Sequence, residues 1–149
     1  MTGRCPEYPP AVEAQLAIAI CRRLAPDLCW EVFSLDPRLS RVGENVLKDP
    51  ACQWTLKRVS RIGCTAESAF SRMFHQRVGV SLTQWVRLVR VGHALVLLGA
   101  TDMTIPDVAT RVGFRSERTL QRAFKDVIGQ SARSIKYGKR AESAENRVS

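Results

Sequence analysis

The apolar positions of this chain recur at helical spacing almost from end to end. Residues 11–25 (AVEAQLAIAICRRLA) are rich in Ala, Ile and Leu and stop at Pro26, which predicts a first helix. Asp36-Pro37 reads as an N-cap followed by a first-turn proline, opening a helix to about Lys48 that is closed by Asp49-Pro50. Its stripe is Leu39, Val42, Val46 and Leu47. Leu56, Val59 and Ile62 mark a short helix interrupted by Gly63-Cys64. Thr65 is placed to cap the next helix, whose inward face is read as Ala66, Ala69, Phe70, Met73 and Phe74, down to a stop at Gly79. Residues 83–98 (TQWVRLVRVGHALVLL) are broadly apolar and end at Gly99; a helix of that length is about 24 Å long. Ile105, Val108, Ala109 and Val112 then form another short helix, with Pro106 tolerated in its first turn. Gly113 turns the chain, and Ser116 caps a helix that buries Leu120, Ala123, Phe124, Val127 and Ile128 before Gly129. No segment alternates with the period of a half-buried strand, so the chain is read as all-α.

A short helix, a glycine-containing turn and a second helix make a helix-turn-helix. The pattern occurs twice, at about 54–77 and 105–127. Residues 70–81 (FSRMFHQRVGVS) and 120–131 (LQRAFKDVIGQS) even spell a similar phrase. Arg72 matches Arg122, Phe74 matches Phe124, Gly79 matches Gly129 and Ser81 matches Ser131, while Phe70 and Leu120 agree in apolar character. Two copies are too few for a solenoid. The expected organisation is an N-terminal helical extension (1–35), two helix-turn-helix subdomains joined by a long linker helix (36–138), and a polar tail (139–149). Within 36–138 the first unit spans 36–82, the linker helix 83–98 and the second unit 101–138.

Charge sharpens this picture. The 149 residues carry a net +9, and residues 53–140 alone hold 16 Lys/Arg against 5 Asp/Glu. The first 52 residues hold 6 against 7, so the basic excess lies in the repeated part. A basic module beside a neutral extension suggests a polyanion, most often nucleic acid; solubility is the plainer explanation. Other classes find little support. There is no run of about 18 apolar residues, and no apolar core follows a basic start in MTGRCPEYPP, so a cytoplasmic protein without membrane association is expected. Five scattered cysteines include no C-x-x-C pair and no zinc-finger spacing, and are read as reduced thiols behaving as small hydrophobes. His75 and His93 have no acidic or thiol partner at helical spacing and are read as surface or packing residues. No nucleophile–base, paired-carboxylate or phosphate-loop signature is present, so neither an enzyme nor a cofactor is expected.

If Phe70, Met73 and Phe74 face inward, then Glu67, Ser68, Ser71 and Arg72 face outward near a helix N-terminus. The second unit presents Glu117, Arg118, Gln121 and Arg122 in the same places. Recognition helices of this motif contact base edges through their N-terminal residues. Arg offers two hydrogen bonds to guanine and Gln two to adenine. The candidate base readers are therefore Ser68, Ser71, Arg72, Glu117, Arg118, Gln121 and Arg122, with the second helix the stronger reader. Glu67 and Glu117 also suit the positive end of a helix dipole. Lys57, Arg58, Arg87, Arg90, Arg111, Arg115, Ser116 and Lys125 are candidates for phosphate contacts, which position without specifying. Arg133, Lys136, Lys139 and Arg140 form either a basic tail or a solvated face.

Residues 105–131 (IPDVATRVGFRSERTLQRAFKDVIGQS) resemble the second helix-turn-helix of AraC/XylS-type transcriptional regulators. The matching positions are Ile105, Val108, Ala109, Gly113, Phe114, Arg122, Phe124, Lys125, Gly129 and Ser131. The first unit and linker match at Trp54-Thr55-Leu56, Arg72, Phe74, Gly79, Arg90 and Ala94, so the resemblance covers roughly 36–136. The chain departs from the family pattern at Gly63-Cys64, where the family's glycine stands one place later, at Ser60, and at Ala132 and Ile135-Lys136. The resemblance implies two three-helix subdomains whose reader helices enter successive major grooves about 34 Å apart. It further implies double-stranded DNA as partner, activation of transcription, and RNA polymerase as a further candidate partner. About 35 residues precede the similar region, fewer than an effector domain needs. The expectation is a short stand-alone member or a remnant of a longer regulator, acting as a monomer on DNA or a weak dimer through its N-terminal helix. The apolar face Leu16, Ile18, Ile20 would carry such a contact unless it packs on the chain itself. Some relatives fuse the module to a DNA-alkyl-accepting cysteine, but the spacing of Cys5, Cys21 and Cys29 does not supply that centre's zinc ligands.

Overall fold

The computed structural model describes residues 10–137. In chain order its helices are α1 (Pro10–Leu24), α2 (Val32–Leu35), α3 (Pro37–Lys48), α4 (Leu56–Ile62), α5 (Glu67–Val78), α6 (Leu82–Ala100), α7 (Ile105–Val112) and α8 (Glu117–Ile128). Residues 132–137 are helical as well, and no strand occurs among the described residues. The molecule is all-α. The tail 139–149, with Lys139 and Arg140, lies outside the described residues, as does Cys5.

Two apolar cores are strung along α6. Its first half sends Leu82, Trp85, Val86, Leu88 and Val89 into a core with Phe70, Phe74, Leu39, Val42, Val46 and Val59. Its second half sends Val91, Ala94, Leu97 and Leu98 into a core with Ile105, Val108, Ala109, Val112, Leu120, Ala123, Phe124 and Ala132. That explains why 83–98 is apolar on nearly every side: one helix serves two cores and is covered by α1 as well. With 19 residues, α6 is about 28 Å long and runs one residue beyond Gly99, which does not end it.

The recurring phrase is mostly scaffold. Gly79 and Gly129 both sit in the left-handed region, at φ 108° and 84°, and terminate α5 and α8. Ser81 and Ser131 each accept a hydrogen bond from the amide three residues on, Gln84 and Ser134, and so start the next helix. Phe74 and Phe124 are both fully buried. Arg72 and Arg122 are the identical long polar side chains that stay exposed at matched positions in both copies.

Two local expectations change, and the first turn adds a detail. Thr65 does not cap α5: its hydroxyl donates to the Gly63 carbonyl, and Ala66 occupies the cap position without a side-chain bond. Ala66 and Ala69 are exposed rather than inward-facing, because Phe70, Phe74 and the half-buried Met73 are enough to fill the core beneath α5. In the first turn the left-handed residue is Cys64, at φ 52°, not Gly63 at φ −80°. Cys64 thus takes the conformation that Gly113 takes in the second unit, at φ 105°. Gly63 is needed for space instead, since a Cβ there would stand 3.0 Å from the Phe70 ring. A non-glycine residue in this region costs about 1–2 kcal/mol. Cys64→Gly, at an exposed position, is therefore expected to raise stability by about 1 kcal/mol, read as a higher urea midpoint with an unchanged slope.

The N-terminal helix packs on the linker. Ala17 and Cys21 are fully buried, and a Cβ on Gly92 would stand 2.6 Å from Cys21 Sγ and 2.9 Å from the Ala17 carbonyl oxygen. Burial pushes the Cys21 thiol up to about 12, so it is inert, and it donates to the Leu88 carbonyl at 3.4 Å. Cys29 and Cys64 are exposed, so only Cys21 is a fully buried thiol among the described residues. His93 is buried as a packing residue, yet it has an acidic neighbour that no local spacing reveals: Glu13 of α1, 3.5 Å from Nδ1. Neither imidazole nitrogen makes an aligned hydrogen bond, so this contact is electrostatic. The His93 contact lowers the Glu13 carboxyl against the opposing effect of burial, and the charges of His93 and Arg111 (3.7 Å away) lower it further.

Asp36 does cap α3, accepting from the Arg38 amide at 2.9 Å, and it also receives Arg77 of α5 at 2.7 Å. The Arg38 side chain, then its amide and the charges of Arg38 and Arg77, hold its carboxyl below the ordinary value despite burial. Carboxyls depressed in the folded state contribute stability that is complete above their unfolded value of about 4 and lost as pH falls through the folded one. Thermal stability should therefore hold above about pH 5 and fall steeply below pH 4, with Asp36→Asn flattening that acid limb.

Candidate nucleic-acid interface

The outward face of α8 carries the richest chemistry. Ser116 opens the helix by accepting from the Thr119 amide at 3.2 Å, with its hydroxyl 3.0 Å from that of Thr119. Behind this cap, Arg115, Arg118, Arg122 and Lys125 are exposed with no protein partner among the described residues. Buried Leu120, Ala123 and Phe124 fix which way they point. Glu117 is half-buried and 3.9 Å from Arg133, which gives the acid a local partner and removes Arg133 from the free cations.

Gln121 is the exception on this face. Its Oε1 accepts from the Ala132 amide at 2.7 Å, helping to start the helix at 132–137. An amide whose oxygen is so engaged cannot make the two-bond adenine contact. Lys136 belongs neither to a basic tail nor to a solvated face: it is 8% exposed and donates to the Met103 carbonyl at 2.7 Å.

The corresponding face of α5 is made of short side chains. Glu67, Ser68, Ala69, Ser71 and Arg72 are exposed, and Arg72 has no partner among the described residues. Ala69 and its counterpart Thr119 were missed by the periodicity, which placed Ala69 inside and passed over Thr119. A small residue on a helix carries no strong burial signal in either direction.

The expected phosphate contacts divide into two groups. Lys57, Arg115 and Lys125 are exposed and unpaired among the described residues. Arg58 lies against Cys52 Sγ and 5.9 Å from the centre of the Trp54 ring. Arg87 pairs with Asp126 at 2.5 Å across α6 and α8, and Arg111 lies 3.7 Å from Glu13. Arg90 turns inward: Nε donates to the Pro50 carbonyl at 2.8 Å and Nη2 to the Cys52 carbonyl at 3.0 Å. Burial lowers its pKa, with Cys52 opposing. A guanidinium held in this way braces the loop that carries Pro50 and Cys52. Among the described residues, no helix is long and apolar enough to cross a membrane.

Two helix-turn-helix units on one linker helix set the context for comparison with known proteins. Residues 59–145 match the family model described as a helix-turn-helix domain. The chain belongs to this AraC-type helix-turn-helix family. It is similar to the HTH-type transcriptional regulator MtrA of Neisseria gonorrhoeae, with 29% identity over 90 residues, covering 60% of this chain and 30% of MtrA. Similarity to the regulator AlkR of Acinetobacter baylyi is 26% over 102 residues, 68% of this chain and 33% of AlkR. The chain thus spans about a third of the length of these curated relatives. Among solved structures it is similar to the DNA-binding domain of AdpA, determined in complex with a target DNA. That likeness has a TM-score of 0.67 at 28% identity and covers 72% of this chain and 96% of that one. The C-terminal domain of AraT, a response regulator from Geobacillus stearothermophilus, gives 0.64 at 27% identity over 70% and 87%.

Proposed function

We propose that this chain is a sequence-specific double-stranded-DNA-binding transcription regulator that reads two successive major-groove segments, with α8 as principal reader and α5 as second reader. The observation that carries the reading is the exposed, unpartnered pair Arg118 and Arg122 on the face of α8 opposite its buried stripe. The AdpA domain, a neighbour of the same fold, was solved on a target DNA, which supports duplex DNA as the ligand class. Each of the two arginines is suited to a bidentate contact with guanine, and Arg72 offers the same on α5. Ser68, Ala69 and Ser71 let the α5 backbone approach closely, where methyl and hydroxyl groups discriminate bases, including the thymine methyl. Glu117 acts here on the helix dipole and on Arg133 rather than on cytosine, and Gln121 acts as a brace. Lys57, Arg115 and Lys125 bind phosphates. Arg58, Arg87 and Arg111 contribute field more than contact, and Ser116 serves α8 as its cap.

Activation is the direction of control that the resemblance supports, with RNA polymerase as the partner on promoter DNA. The test is selection of bound sequences from random duplexes, with a contiguous motif of about two helical turns expected, more sharply defined in one half. Enrichment of no sequence would overturn the reading.

One observation favours a second role for α1. Val12 and Leu16, one turn apart, are 39% and 45% exposed, while Ile18 packs on the first core. A weak dimer through this edge predicts that Val12→Glu with Leu16→Glu halves the mass in solution. An unchanged monomer mass in both proteins would end that reading.

A further inference from the structure

The midpoint of α6 is a three-way junction. Residues from Leu82 to Val89 serve the first core and those from Val91 onward serve the second, so Arg90 stands at the changeover. Its guanidinium reaches back to the loop between α3 and α4, donating to the Pro50 and Cys52 carbonyls at 2.8 and 3.0 Å. The turn of the second unit closes on the same place. A Cβ on Gly113 would stand 2.7 Å from Ala51 Cα, 2.9 Å from Arg90 Nε and 3.0 Å from the Pro50 oxygen. Gly113 therefore meets two requirements at once, a left-handed turn at φ 105° and contact with the other unit's backbone.

Leu24 and Val127 pack against both cores without fixing a direction, and the ion pairs along the linker are softer. Arg87–Asp126 and Arg111–Glu13 each include a well-exposed side chain, and such pairs hold geometry weakly. The Arg90 bonds are half-buried and satisfy two carbonyls of a loop that has no helix to satisfy them. Two neighbouring carbonyls engaged by one planar fork fix direction as well as distance.

We infer that Arg90 is the positioning residue that locks the two helix-turn-helix units in one relative orientation, and that it thereby sets the spacing and rotational phase between the two DNA segments the chain accepts. The part concerning DNA rests on the two-reader function proposed above. Two readers on a rigid body bind the second segment at a high effective concentration only when its spacing matches, and a loosened joint exchanges affinity for tolerance.

The test uses the full chain, wild type and three variants. Arg90→Met keeps the stem and removes the donors, Arg90→Lys keeps the charge with one donor head, and Gly113→Ala disturbs the junction without changing charge. The first readout needs no DNA: residual dipolar couplings of the free protein. One alignment tensor is expected to fit both units in the wild type, and two are expected in Arg90→Met and Gly113→Ala, with Arg90→Lys between. The second readout is affinity for the wild-type-selected duplex and for versions with one base pair added or removed between its segments. Wild type should lose about tenfold or more on the altered duplexes, whereas Arg90→Met should bind the parent about tenfold weaker and distinguish the three by less than about threefold. Where Arg90→Met fails to fold, as read from its melting curve, Gly113→Ala carries both measurements. A single tensor with intact spacing preference in these variants overturns the inference. So does an equal loss on every duplex with a shallower salt dependence, which would make Arg90 a phosphate ligand. If the wild type selects only one segment, the two-reader function falls, and the couplings alone still decide whether Arg90 locks the units.

Discussion

Phe74→Ala should unfold the first unit under conditions where the wild type is stable. Phe74 is fully buried among three rings: Phe70 at 6.0 Å, Phe33 at 6.1 Å and Trp85 at 5.8 Å between centroids, the last two edge-on. Removing a buried phenyl costs about 3–5 kcal/mol through lost transfer energy and the cavity left behind. Edge-to-face pairs add about 0.5–1.5 kcal/mol each beyond area. A domain of this size has a total stability of only about 5–15 kcal/mol. Urea unfolding followed by tryptophan fluorescence should show a midpoint shift equivalent to at least 3 kcal/mol. A loss under 1 kcal/mol would mean that the ring cluster is not the centre of the first core. Phe124→Ala, also fully buried, should do the same to the second unit while leaving the emission of Trp85 largely native.

The second large effect concerns binding. Arg118→Ala and Arg122→Ala are each expected to weaken specific binding by about 1–3 kcal/mol and to relax the sequence requirement at one base position. Combined, they should reduce affinity for the selected duplex by about 10²–10⁴-fold, since the side chains lie on one face and act on neighbouring bases. Binding to random DNA should fall far less. Lys125→Ala should behave differently, lowering affinity on all sequences alike and making the salt dependence shallower by about one unit of slope. Parallel titrations on selected and random duplexes at two salt concentrations separate these behaviours. An equal loss on both duplexes for Arg122→Ala would remove it from the base readers.

What could be seen in the sequence was what depends on near neighbours. Asp36, Ser81, Ser116 and Ser131 announce helix starts through bonds that span three residues or fewer, and Gly79, Gly113 and Gly129 announce stops through a conformation only they adopt freely. The apolar stripes of α3 and α7 were readable for the same reason. The outward placement of Arg72, Arg118 and Arg122 followed from the buried stripes beside them.

What could not be seen was mostly long-range. The Arg90 carbonyl partners lie about 40 residues back, and the Met103 carbonyl that takes Lys136 lies 33 residues away. Glu13 and His93 meet only because α1 crosses α6. A cation in a basic stretch looks the same in sequence whether it faces solvent, a phosphate or a carbonyl, which is why Arg90 reads as a phosphate candidate and Lys136 as part of a basic tail or a solvated face. The partner of Gln121 is hidden for a related reason, since the helix start at Ala132 lies 11 residues on. Ala69 shows a local limit, since alanine packs or projects with equal ease.

The central claim is that one chain reads two major-groove segments on one face of the duplex, chiefly through α8. Methylation of guanine N7 lies in the major groove and blocks an arginine contact there. Interference mapping on the selected duplex should show two clusters of sensitive guanines about one helical turn apart on the same face, without inverted symmetry, and Arg118→Ala with Arg122→Ala should erase one cluster and spare the other. A single cluster, or two related by a two-fold axis, would contradict the account.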